Sequence, residues 1–190
     1  MTTLAPLPFD TPATADDLAV MREQLGRPMR GVVSIARRCA CGRPAVVRTR
    51  PRLEDGTPFP TSLYLTLPSL VAAVSSLEAT GLMATLSSEI AADVDLAARH
   101  RLSHELYIAR REELGEVPEI AGVSAGGMPE RVKCLHALVG HALAEGPGID
   151  PIGDRILERL VREGRADITV CRCDTSGDGT TGPEDQDGTA

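Results

Sequence analysis

The chain has no tryptophan and only two phenylalanines and two tyrosines in 190 residues. Leu, Val, Ile, Ala and Met must therefore fill any core. Base-stacking platforms of the RRM or OB kind are not expected from so few aromatics. Long apolar runs are also missing. None approaches the roughly 18 to 20 residues that cross a bilayer, so no membrane insertion is expected. The opening segment MTTLAPLPFDTPA lacks the basic stretch and apolar run of a secretory signal, and the expected location is the cytoplasm. Five cysteines, an odd number without such a signal, argue for reduced thiols, metal ligation or thiol chemistry over a disulfide framework. There is no internal repeat.

Acidic residues are absent between Glu23 and Glu54, where eight arginines lie (27, 30, 37, 38, 43, 48, 50 and 52). Arg37, Arg38, Arg43, Arg48 and Arg50 could meet phosphate, RNA or an acidic partner, or could instead pair with acidic helices and the wet face of a sheet. Residues 171 to 190 reverse the sign, with five acids against Arg172. Their lack of apolar anchors predicts a disordered acidic tail. With 42% hydrophobic and 25% charged residues, the rest has ordinary globular make-up. The reading is a flexible stretch over 1–13, one globular domain over 14–170 and the tail from 171.

Punctuation along the chain gives an α+β order. Thr14 with Asp17 three residues on predicts a capped helix bearing Leu18, Met21 and Leu25 and stopping at Gly26. Gly31 to Ala36 and Ala45 to Thr49 read as a β-hairpin whose tip holds Cys39 and Cys41. Leu63 to Leu67 reads as a third strand. Pro68 then opens a helix with Leu70, Val71, Val74 and Leu77 inward, closed by Gly81. Asp93 caps a long helix reaching Leu114, and further helices are expected over 128–145 and 151–163. Ile168 to Val170 reads as a returning edge strand. The expected fold class is a small antiparallel sheet of three to four strands packed with four to six helices.

Chemistry concentrates between Ser124 and His141, in SAGGMPERVKCLHALVGH. A glycine loop that opens a helix offers N–H groups to an anion, which makes Ser124, Gly126, Gly127, Arg131 and Lys133 candidates for binding a small phosphorylated molecule. The GxxxxGK[ST] pattern is absent, so this is no Walker motif. Cys134, His136 and His141 are the candidate catalytic residues, as nucleophile and base. At ~100° and ~1.5 Å per residue, one straight helix cannot aim all three at one ion. A metal site needs outside donors, and Cys39 with His104 would complete a set with Cys134 and His136, or His141, for Zn or Fe. Packing roles for Cys134 and His141 are the alternative. His100 and His104 form a helical pair. Cys171 and Cys173 read as free thiols, since CxC lacks the CxxC spacing. Asp55, Thr57 and Asp154 sit in Gly/Pro loops as polar candidates or turn formers.

The segments DGTPFPTSLYLTLP at 55–68, SAGGMPERVKCLHALVGHALA at 124–144 and GPGIDPIGD at 146–154 resemble the bacterial domain of unknown function 501 family, over roughly Leu18 to Leu160. The resemblance implies relatedness without an established activity. In actinobacteria such genes commonly lie beside a septum-formation-initiator-like protein and an exopolyphosphatase, which implies a cell-division protein as a candidate partner. Three function classes follow. They are a small enzyme centred on the Cys/His motif, a non-catalytic interaction module linked to cell division or the envelope, and an arginine-rich phosphate or nucleic-acid binder. Whether the chain is an enzyme stays open at this point.

Overall fold

Alternation along the strands places two hydrophobic sets on opposite faces of one sheet. A computed structural model describes residues 4–126, 129–171 and 173. Four antiparallel strands lie in the order β1 (Thr11–Pro12), β2 (Val32–Arg38), β3 (Pro44–Thr49) and β4 (Leu63–Leu65). Val46 and Val47 are neighbours on β3, so their side chains point to opposite faces. Val46 joins Ala36, Leu63 and Leu65 in the main core, while Val47 joins Ile35 and Met21 in a smaller cluster with Tyr64 against it.

Helix α1 (Ala15–Leu25) covers the smaller cluster through Met21. Its start is fixed by reciprocal bonding, with the Thr14 hydroxyl accepting from Asp17 N (3.1 Å) and Asp17 Oδ2 accepting from Thr14 N (2.9 Å). On the other face lie α2 (Pro68–Glu78), α3 (Leu82–Ala92), α4 (Val94–Glu112), α5 (Leu135–Glu145) and α6 (Pro151–Arg162). Apolar residues run along α5 on nearly every side, and Leu135, Ala137 to Ala144 and His141 among them are all buried. It is the central helix. Two glycines permit its close approaches. A Cβ at Gly140 would meet Leu63 O at 2.8 Å, and one at Gly153 of α6 would meet Ala142 Cβ at 2.7 Å with the Leu138 carbonyl nearer still. The whole is a single α+β domain, as the pattern of elements predicts.

Several boundaries differ from expectation. Helix α5 starts at Leu135, not 128, because residues ahead of it are held in a loop by bonds described below. Ile168 to Val170 forms no strand; Ile168 O instead accepts from Ala40 N (2.8 Å) at the hairpin tip. Strand β4 ends at Leu65, since Thr66 turns its hydroxyl to Pro44 O (3.1 Å) before Pro68 starts α2. Helix α3 follows α2 after a short turn, and its N-cap Gly81 makes no side-chain bond that would have marked it. Within the stretch 1–13, Thr11–Pro12 pairs with Ser34 and Ile35, Leu7 is buried, and Ala5 O accepts from Arg110 Nη1 (2.5 Å). The predicted tail beyond Cys173 lies outside the described residues.

Candidate functional site

The loop before α5 is pinned from three directions. Lys133 N and Cys134 N both donate to Gly126 O (2.9 and 3.3 Å), and Val132 N donates to Ser87 Oγ (3.0 Å). Cys134 is thereby extended (φ −149, ψ 113) and becomes the N-cap of α5. Glu78, the last residue of α2, sets its Oε1 on Leu135 N at 2.6 Å. A carboxylate at this end of a helix is favoured by the unpaired amides and the macrodipole.

The same carboxylate oxygen lies 3.2 Å from His136 Nδ1. On the other side of the ring, Nε2 faces Ser75 Oγ (3.1 Å) and Val71 O (3.3 Å). A carbonyl oxygen only accepts, so the network assigns a proton to Nε2 and leaves Glu78 to hold a second at Nδ1. The His136 pKa is pushed up to about 9, by its bond with Cys134 first, against the effect of burial, with the Glu78 charge adding to the rise. Ligand atoms of Glu78, Cys134 and His136 all lie within 4.8 Å of one another, and all three residues are half-buried. Cys134, His136 and Ala137 form one wall of an open cleft of about 340 Å³, whose other walls are mostly apolar: Leu25, Leu63, Leu65 and Val71, with Tyr64.

The other predicted site residues fall elsewhere. His141, only 1% exposed, is held with Ser103 and Asp150 in a buried seam between α4, α5 and α6. Ser103 Oγ donates to Asp150 Oδ2 (3.0 Å), and that oxygen is 3.1 Å from His141 Nδ1. Asp150 also caps α6 by accepting from Gly153 N (2.8 Å). His104 Nδ1 bonds Ser124 Oγ at 2.9 Å in the same seam, and burial lowers the pKa of both His100 and His104. His104 and His141 therefore share a pocket with Ser124 and Gly126, while Cys134 and His136 face a different cleft. The predicted helix start also fares differently. Gly126 uses its carbonyl as a loop anchor, Arg131 and Lys133 are exposed, Gly127 lies outside the described residues, and the first amide of α5 is occupied by Glu78.

Cys39 is placed in yet another group. Its Sγ gathers with those of Cys41, Cys171 and Cys173, all within 4.8 Å of one another. The four-residue set of Cys39, His104, Cys134 and His136 is thus divided among three places. Sequence reasoning missed Glu78 and Ser75, whose positions on α2 give no chemical signal until α2 meets α5. It also missed Asp150 as the hub of the histidine seam, although its place before Pro151 marks it as a cap.

The profile of the family described as Protein of unknown function (DUF501) matches residues 35–158. The chain belongs to the DUF501 family. No curated protein and no solved structure matches it. The DUF501 match takes in α2, the loop after Gly126 and α5, so Glu78, Cys134 and His136 all lie inside it, whereas Cys171 and Cys173 lie beyond its end. Among the described residues no single helix is long and apolar enough to cross a membrane. The bent pair α2 and α3 has the length and composition together, but Leu70, Val74, Leu77, Leu86 and Ile90 of that pair are buried in the core.

Proposed function

We propose that this chain is a thiol-dependent acyl-transfer enzyme or hydrolase, with Cys134 as nucleophile, His136 as acid and base, and Glu78 as the residue that orients the imidazole. The observation that carries this reading is the meeting of a half-buried thiol, an imidazole flanked by acceptors on both nitrogens and a carboxylate, with the thiol and the imidazole lining a mostly apolar cleft. A catalytic nucleophile, its base and an orienting third group are the parts that covalent acyl transfer needs.

In the proposed cycle Cys134 Sγ attacks a carbonyl carbon as a thiolate paired with the His136 imidazolium, the bond to the leaving group breaks, and the imidazolium gives that group a proton. Water, deprotonated by the now neutral His136, then releases the acyl group and restores the thiolate and imidazolium. The amides of His136 and Ala137 lie in the first turn of α5, where no intrahelical acceptor reaches them, and they offer donors to the developing oxyanion. The substrate class is a small carbonyl compound with an apolar acyl part for Leu25, Leu63, Leu65 and Val71. Exposed Arg131 and Lys133, just ahead of Cys134 in the chain, suit a phosphate elsewhere on the same molecule.

The test uses p-nitrophenyl esters of increasing acyl length with the full chain, under reducing conditions and with chelator present. An acyl adduct on Cys134 by peptide mass spectrometry is expected, absent from Cys134→Ala. His136→Ala should slow its formation about 10²- to 10⁴-fold, the usual worth of a general acid–base residue. Acylation spread equally over all five cysteines, or none at Cys134, overturns the reading in favour of a binding module.

A further inference from the structure

Four of the five cysteines come together in a group separate from the proposed catalytic thiol. Cys41 Sγ and Cys173 Sγ are 3.5 Å apart, Cys173 Sγ and Cys39 Sγ are 3.7 Å apart, and Cys171 Sγ lies within 4.8 Å of the other three. Zinc–sulfur bonds of ~2.3 Å at tetrahedral angles put sulfur atoms about 3.8 Å from one another. A disulfide would need about 2.05 Å. The spacings match four ligands around one ion better than two covalent pairs.

Packing alone does not account for the group. Cys39 is buried, but Cys41 and Cys171 are exposed and Cys173 is intermediate, so removal from water is not what gathers them. The backbone is instead arranged to present them. Cys39 N donates to Arg43 O (2.9 Å) and Gly42 N to Cys39 O (2.8 Å), with Gly42 at φ +87, which closes the hairpin tip and turns both of its thiols the same way. Ile168, buried in the main core, ties the C-terminal segment to that tip through its bond from Ala40 N. Cys173 N also points at Cys171 Sγ (3.5 Å), an amide-to-sulfur bond of the kind that steadies a metal thiolate.

We propose that Cys39, Cys41, Cys171 and Cys173 bind one Zn²⁺ in a closed tetrahedral site that clamps the C-terminal segment to the β2–β3 hairpin. Four protein sulfurs leave no open position, so the ion is structural. Binding releases the protons of those thiols that are protonated beforehand, and no oxidant or reductant takes part. The site is independent of Cys134, which belongs to a separate cleft.

The experiment is metal analysis by mass spectrometry of the full chain purified without a polyhistidine tag. It compares wild type, Cys171→Ser with Cys173→Ser, and Cys134→Ser. Wild type and Cys134→Ser should carry about one zinc per chain, and the double variant less than about a tenth of that. The double variant lies outside the sheet and the six helices, and an unchanged far-ultraviolet circular dichroism spectrum shows that its loss is not unfolding. Thiol titration of native wild type should find fewer than five reactive thiols, rising to about five once denaturant and chelator have removed the metal. Zinc that persists in the double variant, a disulfide between any two of the four, or iron at the same stoichiometry overturns the assignment.

Discussion

His136 and the pair of buried His100 and half-buried His104 make stability depend on pH in opposite directions. His136 has its pKa raised from 6.5 to about 9 on folding. Its contribution is complete below about pH 6.5, the unfolded value, and is lost as pH climbs through 9. His100 and His104 are held neutral by burial, with pKa values below 6.5. Their effect is absent above that value and costs stability as pH falls beneath it. Urea denaturation across pH 5 to 10 should therefore give a maximum near neutrality. His136→Gln should flatten the alkaline limb and leave the acid limb alone; an unchanged alkaline limb contradicts the charged pair described above. Asp150 is fully buried and serves Gly153 N, Ser103 and His141 together. Asp150→Ala leaves these partners unsatisfied, and a loss of about 2 to 4 kcal/mol is expected by denaturant titration. At this scale the sequence was informative about which residues carry reactive groups. It was silent on their partners, because Glu78 is 56 residues from Cys134 and only the packing of α2 on α5 joins them.

Element by element, legibility followed how local the determining chemistry is. Helix α1 has its start and stop written in adjacent residues, the Thr14–Asp17 pair and Gly26 at φ +66. Helix α5 does not. Its start is delayed by Ser87 of α3 and Glu78 of α2, residues about 50 positions earlier, so the glycine and proline at 127 and 129 pointed to a helix that begins later. The two CxC segments likewise carry no information about each other until Ile168 docks beside the hairpin. Contacts at the α5 crossings give a direct check on this packing. Gly153→Ala and Gly140→Ala each force a Cβ against backbone atoms of a neighbour that cannot swing away. Each should lower stability by about 1 to 3 kcal/mol in urea titration. Thr14→Ala removes one cap at the surface and should cost only about 1 kcal/mol.

For the molecule as a whole, the arginine-rich stretch is largely engaged by the protein's own groups. Arg38 is paired with Asp17 (2.6 Å), Arg48 with Glu113 (2.6 Å), Arg52 with Glu119 (2.7 Å) and Arg30 with Asp55 (2.7 Å), while Arg37 lies over the Phe9 ring at 3.6 Å. With a formal net charge of −7 besides, weak attraction for a polyanion is expected. Fluorescence polarisation with a labelled single-stranded RNA should show no saturable binding at physiological ionic strength; tight binding that weakens steeply with salt contradicts this. The overall class, a small antiparallel sheet with helices, was readable because periodicity and turn residues act over short distances. Which face of the sheet each helix covers depended on contacts that no single segment encodes.

Helix α5 is enclosed along its length, and its first turn is where it reaches the open cleft. Under the proposed function, a molecule held in this cleft meets the helix end-on. Selectivity would accordingly be set by the lining of that cleft. Leu25 of α1 and Tyr64 of β4 line it without belonging to α5, so resizing those two side chains is the expected route to admitting bulkier or slimmer guests while the enclosed rod behind Cys134 stays untouched.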